Sequence, residues 1–549
     1  MHNLTRGTWE DAARSRTGRA KLLWTPSSLP GLEARLSFTS YDFDGPYHFT
    51  YSRTDGADPF GDRIALSDYP NATDTEVDIA NLEVDYDLSG PWLLSLVTAW
   101  NDSDSHRSYD GDLTADPLSS GDQHLTSKRL SQEVRLHYAG DHLDALVGAY
   151  WAQRENTFRS DSLINVDTPV STISALLQGA GFPADNADMI AAMYAQALPV
   201  VPIDYASDTP TRSRNVALFG DGEYRVTDRL ALLAGFRYDR QRYTMANTTL
   251  ADFAGVFPDP AAFGTPDSPL YMAIMAINAG VAGYVSQAAG STPEHSRDFS
   301  AFLPKLGLRY ALDENVAASF TVQRGYRSGG SSHNIARSEQ HAYDPEYTWN
   351  YEAALRSLWL DDRLSLNANL FYVDWKDKQT TAWFGLNEYD SHIVNAGRAH
   401  LYGFELEAAH RVTEGFDWYA SLGHARTRYD EFETILGGTV ADYAGEEFIY
   451  APHWTLGVGA NWRFGGGWSA NLNANHRGKV YADIGQYRHR LSSRTLVNGR
   501  FGYEAQHWAA WLFASNLFDE EYIQYRNSTQ PLAIMGAPRV VGVSLEAFW

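Results

Sequence analysis

Apolar and polar residues alternate one for one over long stretches of this chain. In residues 363–375, Leu364, Leu366, Ala368, Leu370 and Tyr372 alternate with Ser365, Asn367, Asn369 and Phe371. Successive side chains of a strand point to opposite faces, so this spacing predicts a β-strand with one apolar and one polar side. The polar side carries Ser and Asn, where an ordinary wet face would carry Lys, Glu and Thr. The pattern recurs where Trp454, Leu456, Val458, Ala460 and Trp462 alternate with Thr455, Gly457, Gly459 and Asn461. Trp468, Ala470, Leu472 and Ala474 alternate in the same way with Asn471, Asn473 and Asn475. At the end of the chain, Val541, Val543, Leu545, Ala547 and Trp549 oppose Gly542, Ser544 and Glu546. Lipid outside, a polar lumen inside and aromatic girdles at the interfaces produce this signature.

The connections alternate as well. Short turns lie at residues 26–31, 88–91, 139–142, 226–229, 312–315, 360–363, 412–415, 464–467 and 505–507. They are rich in Gly, Asp, Asn and Pro, which supply positive φ or local hydrogen bonds. Between them lie longer connections, the largest at 159–210 and 247–296. Sorting of tight turns and long loops by parity predicts an all-β, antiparallel transmembrane barrel, with turns in the periplasm and loops outside. We count about nineteen strands, each long enough to cross a bilayer when tilted. Residues 1–15 read as the polar end of an outer loop and 16–549 as the barrel.

Three segments inside the long loops carry helical periodicity. Ser171 is positioned to cap a helix bearing Ile173, Leu176 and Leu177 and ending at Gly179. Met189, Ile190, Met193 and Tyr194 form a second apolar face. Residues 269–290 are almost free of charge, yet Ile274, Ile277, Val281 and Tyr284 recur at helical spacing, which predicts an amphipathic helix lying on other elements and not a spanning one.

Composition narrows the function. The 549 residues carry a formal charge of −24 and no cysteine. Such an acidic chain repels nucleic acid, and absence of cysteine excludes disulfides and thiolate metal sites. No cofactor is expected. Gly329-Gly-Ser331-Ser-His333 lacks the closing glycine of a nucleophile elbow, and no phosphate loop or zinc spacing is present, so no enzyme is predicted. His333, His341, His392 and His400 read as scattered surface histidines. The acidic run at 102–122 reads as a solvated outer loop without calcium-binding spacing.

Several motifs resemble those of the TonB-dependent outer-membrane receptors. They are Gly325-Tyr-Arg-Ser-Gly-Gly330, Tyr347-Thr-Trp-Asn-Tyr-Glu-Ala-Ala-Leu-Arg-Ser357, Phe371-Tyr-Val-Asp-Trp375 and Val394-Asn-Ala-Gly397 before Tyr402-Gly-Phe-Glu-Leu-Glu407. Ser515-Asn-Leu-Phe-Asp-Glu-Glu-Tyr522 and Gly536-Ala-Pro-Arg539 are similar to the family's C-terminal signature. The resemblance implies a 22-stranded barrel with a plugged lumen. It also implies outer-membrane lipid, a small-molecule ligand such as a metal chelate, and the TonB energy-transducing complex as partners. With no signal peptide, coupling box or plug before Met1 and about three family strands unaccounted for, a fragment or a mis-called start is expected. Iron chelates are the commonest cargo that the resemblance implies. Glycans, cobalamin and aromatic compounds are alternatives, and a passive porin-like barrel is the rival of another class. Parity points Gln323, Arg327, Glu346 and Asn350 into the lumen mouth, where an arginine suits carboxylate or phosphate oxygens. These four are the candidate ligand contacts.

Overall fold

The computed structural model describes residues 1–47, 51–384, 389–436, 439–485, 488–526 and 531–548; Trp549 lies outside them. Nineteen strands form one antiparallel sheet rolled into a barrel. They are β1 (Arg14–Trp24), β2 (Leu32–Pro46), β3 (Ala72–Ser89), β4 (Trp92–Asp110), β5 (Ser120–Ala139) and β6 (Leu143–Asp167). Next come β7 (Val200–Arg225), β8 (Leu230–Phe253), β9 (Gly290–Asp313), β10 (Val316–Arg327), β11 (Glu346–Trp359) and β12 (Leu364–Lys376). The remainder are β13 (Arg398–Thr413), β14 (Phe416–Glu431), β15 (Trp454–Gly465), β16 (Trp468–Arg477), β17 (Arg494–Glu504), β18 (Trp508–Ser515) and β19 (Val540–Ala547). Each strand pairs with its neighbours in sequence, from β1 with β2 to β18 with β19. Among the described residues no ladder register joins β1 to β19, and every residue of β1 is exposed.

The expected turns close one end of the barrel. At the turn after β11, Leu360, Asp361 and Asp362 all adopt positive φ, and Gly465, Gly466 and Gly467 do so after β15. Three successive left-handed residues reverse the chain tightly, at a steric cost that glycine escapes. Connections at the other end are longer, as parity requires.

Outward residues are the apolar ones. Leu366, Leu370 and Tyr372 of β12, Leu456 and Val458 of β15 and Leu472 of β16 are all exposed. On β4, Trp92 and Trp100 both face out, eight residues apart, so about 26 Å of extended strand separates them. Inward, charged pairs and amides line the lumen. Arg309 meets Glu223, Lys305 meets Asp221, and Asn461, Asn471 and Asn473 hydrogen-bond in a row.

The strands depart from expectation in length. β6 and β7 have 25 and 26 residues, where about ten suffice to cross. The connection expected over 159–210 therefore continues as hairpin at both its ends, and only 168–199 leaves the ladder. Beyond Trp151 the outer face of β6 turns polar, so alternation fades while pairing continues. The same holds for 247–296, where β8 runs to Phe253 and β9 starts at Gly290. The acidic run at 102–122 is likewise chiefly strand, since β4 reaches Asp110 and β5 starts at Ser120.

All three helices are present above this hairpin tower: α1 (Val170–Gly179), α2 (Ala184–Ala197) and α3 (Pro269–Ser286). Pro169 precedes α1, and Ser171 lies within the first turn without making a cap hydrogen bond. Ile173, Leu177, Ile190, Tyr194, Ile274, Ile277 and Val281 share one buried cluster with Val201 and Ile203 of β7. Met189 and Leu176 point outward. Thus α3, the one described helix long and apolar enough to cross a membrane, lies on α2 and the upper strands. The Tyr194 hydroxyl donates to Asn278 Oδ1 at 2.9 Å, which satisfies both groups inside the cluster.

Two outcomes follow. Leu370→Arg, on the lipid face, is expected to destabilise the barrel by about 2–4 kcal/mol in a bilayer unfolding titration, whereas Asn369→Arg, one residue away on the lumen side, costs far less. Ile274→Ala empties a fully buried position and is expected to loosen the helical cap by about 2–5 kcal/mol. Hydrogen exchange would show that loss in α1–α3 while the barrel strands stay protected.

Candidate ligand-binding site at the lumen mouth

A polar cavity of about 600 Å³ opens at the loop end of the lumen. One wall is built by inward residues of three adjacent strands: Arg154 and Asn156 on β6, Thr211 and Ser213 on β7, Gln241 and Tyr243 on β8. Their alignment follows from the register, which sets Arg154 opposite Ser213 and Asn156 opposite Thr211. The facing wall comes from two short hairpins folded inward. The first pairs Gly330–Asn334 with Glu339–Tyr343, and the second pairs Gln379–Trp383 with Ser391–Asn395.

These hairpins are tied down by named contacts. Arg297 of β9 donates to the carbonyls of Gly330 and Tyr343 and pairs with Asp344. Arg337 grips the fully buried Asp390 through two hydrogen bonds of 2.7 and 2.8 Å, and Asn334 donates to the same carboxylate. Ser332 Oγ accepts from the Ile393 amide at 2.9 Å, joining the two hairpins. Gln379 donates its side-chain amide to the carbonyls of Ser328 and Asp344.

The four residues expected at the mouth separate here. Arg327 lines the cavity. Glu346, only 4% exposed, stands behind it: it accepts from Arg327 Nε at 2.9 Å and from the Gln379 amide. Its role in this geometry is to aim the guanidinium. Gln323 and Asn350 are cross-strand partners lower in the lumen and do not reach the cavity. The β6–β8 wall escaped the sequence reading because its strands outrun their alternating segment, although the parity of Ala152 carried upward would have placed Arg154 inside.

Electrostatically the cavity is one-sided. Among the described residues Arg154 and Arg327 line it and no carboxylate does. Glu346 pairs with Nε of Arg327, whose side chain stays largely exposed toward the cavity. Burial raises the Tyr343 phenol above its ordinary range, which keeps it a hydrogen-bond donor at neutral pH. Cations, hydroxyls and amides on such a surface suit an anionic, oxygen-rich solute.

The histidines differ from expectation. His341 and His392 stack with ring centroids 3.7 Å apart, Phe384 covers His392, and His333 lies against Asn247. They gather because the two hairpins pack on one another. Burial and the neighbouring His341 press both His333 and His392 down to about 4. Only His400, which pairs with Asp430, stays apart from them. Among the described residues no group of three or more potential ligands has metal-binding geometry. Ser331 is buried within a hairpin strand, not on a strand-to-helix elbow.

A family model for the TonB-dependent receptor-like β-barrel matches residues 24–517. The chain belongs to the TonB-dependent receptor family. Members are Gram-negative outer-membrane barrels that act as receptors and transporters, not enzymes. Among curated relatives, the pesticin receptor of Yersinia pestis is 26% identical over 251 residues, covering 44% of this chain and 35% of that protein. The metal-pseudopaline receptor CntO of Pseudomonas aeruginosa is 22% identical over 250 residues, 45% of this chain and 33% of that one. The chain thus spans about a third of the length of the curated relatives it matches. Among solved structures, the ferric yersiniabactin uptake receptor FyuA of Yersinia pestis superposes with a TM-score of 0.75 at 18% identity, over 99% of this chain and 72% of that one. The ferric-catecholate import receptor Fiu of Escherichia coli K12 gives 0.67 at 13% identity, over 97% and 74%.

The depressed imidazoles predict that the hairpins of this TonB-dependent barrel loosen in acid. Both groups bind protons more weakly docked than free, so docking is fully stable above about 6.5 and weakens as pH falls from there toward 4. Limited proteolysis of the 328–345 and 377–397 connections is expected to accelerate over that interval and to stay flat above pH 7. A rate unchanged down to pH 4 would show that the imidazoles do not govern docking.

Proposed function

We propose that this chain is the barrel of an outer-membrane receptor for an iron chelate, taken up at the expense of energy delivered through TonB. The observation that carries the reading is the cavity whose described lining holds Arg154 and Arg327 and no carboxylate, set in a barrel of this family. Ferric chelates present anionic oxygens at their surface, and fork-shaped guanidinium donors match such oxygens. The names of the relatives, receptors for metal-pseudopaline and for ferric yersiniabactin among them, support a metal chelate as the cargo class. Residues 16–549 would form the barrel unit, and the coupling partner would act through a part of the receptor inside the lumen.

Growth under iron limitation tests this. Cells lacking the gene are expected to lose uptake of radioactive iron from one class of ferric chelate and to regain it with the intact gene. Arg327→Gln is expected to weaken chelate binding about tenfold, the scale of a charge-assisted hydrogen bond. Glu346→Gln should weaken it less, since it frees the arginine without removing it. Uptake that persists after TonB is deleted would instead indicate a passive pore.

A further inference from the structure

Hydroxyls and amides dominate the lining of the mouth cavity. β7 contributes Thr211 and Ser213, β8 contributes Gln241, and the second hairpin contributes Gln379, Thr380 and Thr381. Among the described lining residues Ile393 is the one aliphatic side chain, and Tyr243 and Tyr343 are the aromatic ones. Both rings are half-buried. Tyr343 lies down on its own hairpin against Gly330, where a Cβ would stand 2.5 Å from its hydroxyl and 2.8 Å from its ring. The Tyr243 hydroxyl has only Met245 Sδ near it, at 3.6 Å, a weak acceptor. Burial pushes the Tyr243 phenol up to about 12 and raises Tyr343 as well, so both stay protonated and donate.

The two cations of the lining are anchored. Arg154 Nε donates to Asn156 Oδ1 at 2.9 Å, and Arg327 Nε pairs with Glu346 at 2.9 Å. Both side chains are nonetheless exposed where they line the cavity. Its volume, about 600 Å³, is one that a compact small molecule fills.

We infer that the cargo is an aliphatic hydroxycarboxylate chelate: a metal wrapped by carboxylate and hydroxyl oxygens, anionic at its surface and free of aromatic rings. This rests on the chelate-receptor reading above and narrows it. Carboxylate oxygens match the fork of a guanidinium. Ser, Thr and Gln side chains both donate and accept, so they serve alcohol groups and metal-bound carboxylates alike. A neutral chelate would leave two exposed cations unmatched. An aromatic chelate would lay its rings on hydroxyls and amides and strand their hydrogen bonds, since the described lining offers one aliphatic side chain to receive a ring.

Purified protein in detergent is titrated in a calorimeter with two ferric complexes, one of citrate and one of catechol. The citrate complex is expected to bind about tenfold more tightly or better. Ser213→Ala and Thr381→Val are each expected to weaken it about threefold to tenfold, the scale of one hydrogen bond, and to weaken the aromatic complex less. The comparison of chelates on the unaltered protein needs no variant to fold. Equal or tighter binding of the catechol complex, still weakened by Arg327→Gln, would overturn the hydroxycarboxylate class and keep the receptor reading. Iron-free citrate bound as tightly as its ferric complex would keep the class and overturn the iron-chelate reading. Binding of neither complex would overturn both.

Discussion

A peptide group in hydrocarbon has no water to turn to. Each unpaired N–H or C=O there costs several kcal/mol, so a chain that crosses lipid as strands must pair every strand with a neighbour. The structure of this barrel follows from that constraint. Its strands pair in sequence order because short turns bring consecutive strands together at the lowest loop-closure cost. The turns need tight reversal and therefore tolerate three successive left-handed residues at Leu360–Asp362. The opposite end has no such limit, and there the chain departs from the ladder into hairpins, helices and cavities.

With the backbone satisfied by pairing, side chains are free to differ on the two faces. The outer face needs only to be apolar, and Leu370, Leu456 and Val458 need no specific neighbour. The inner face must resolve its charges, which it does through Arg309 with Glu223 and Lys305 with Asp221. Above the bilayer the same ladder continues in β6, β7 and β8, now as a scaffold in water. That extension lifts Arg154, Ser213 and Gln241 to the level of the inward hairpins and creates the cavity. The hairpins hold their place through Arg297, Asp390 and Glu346, whose contacts lie far apart in sequence.

This division explains what could be read from the chain. Lipid imposes a strict two-residue period, so strands such as β12, β15 and β16 were legible, as were the nine turns that sort by parity. The period disappears where β6 leaves the membrane, and by its sequence the hairpin tower reads as loop for that reason. Helical faces around Ile274 and Tyr194 were legible because they bury against a core, but Ser171 was not needed as a cap once Pro169 shaped the entry. Arg327 could be placed inside the mouth by alternation alone. That Glu346 serves it from behind, and that Gln323 and Asn350 lie too low, depends on where hairpins fold back, which periodicity does not encode. The gathering of His333, His341 and His392 depends on the same fold-back.

The charge distribution carries the argument one step further. A net charge of −24 gives the molecule a repulsive field toward anions, so an anionic solute reaches the lumen only where local cations outweigh it. Arg154 with Arg327 in the cavity is such a place. There Glu346 takes one edge of the Arg327 guanidinium and aims the rest. The wall below pairs Arg309 with Glu223 and Lys305 with Asp221. Cations set at the mouth, above a wall that neutralises such charges, have the polarity of a surface that selects for oxyanions, whatever molecule bears them.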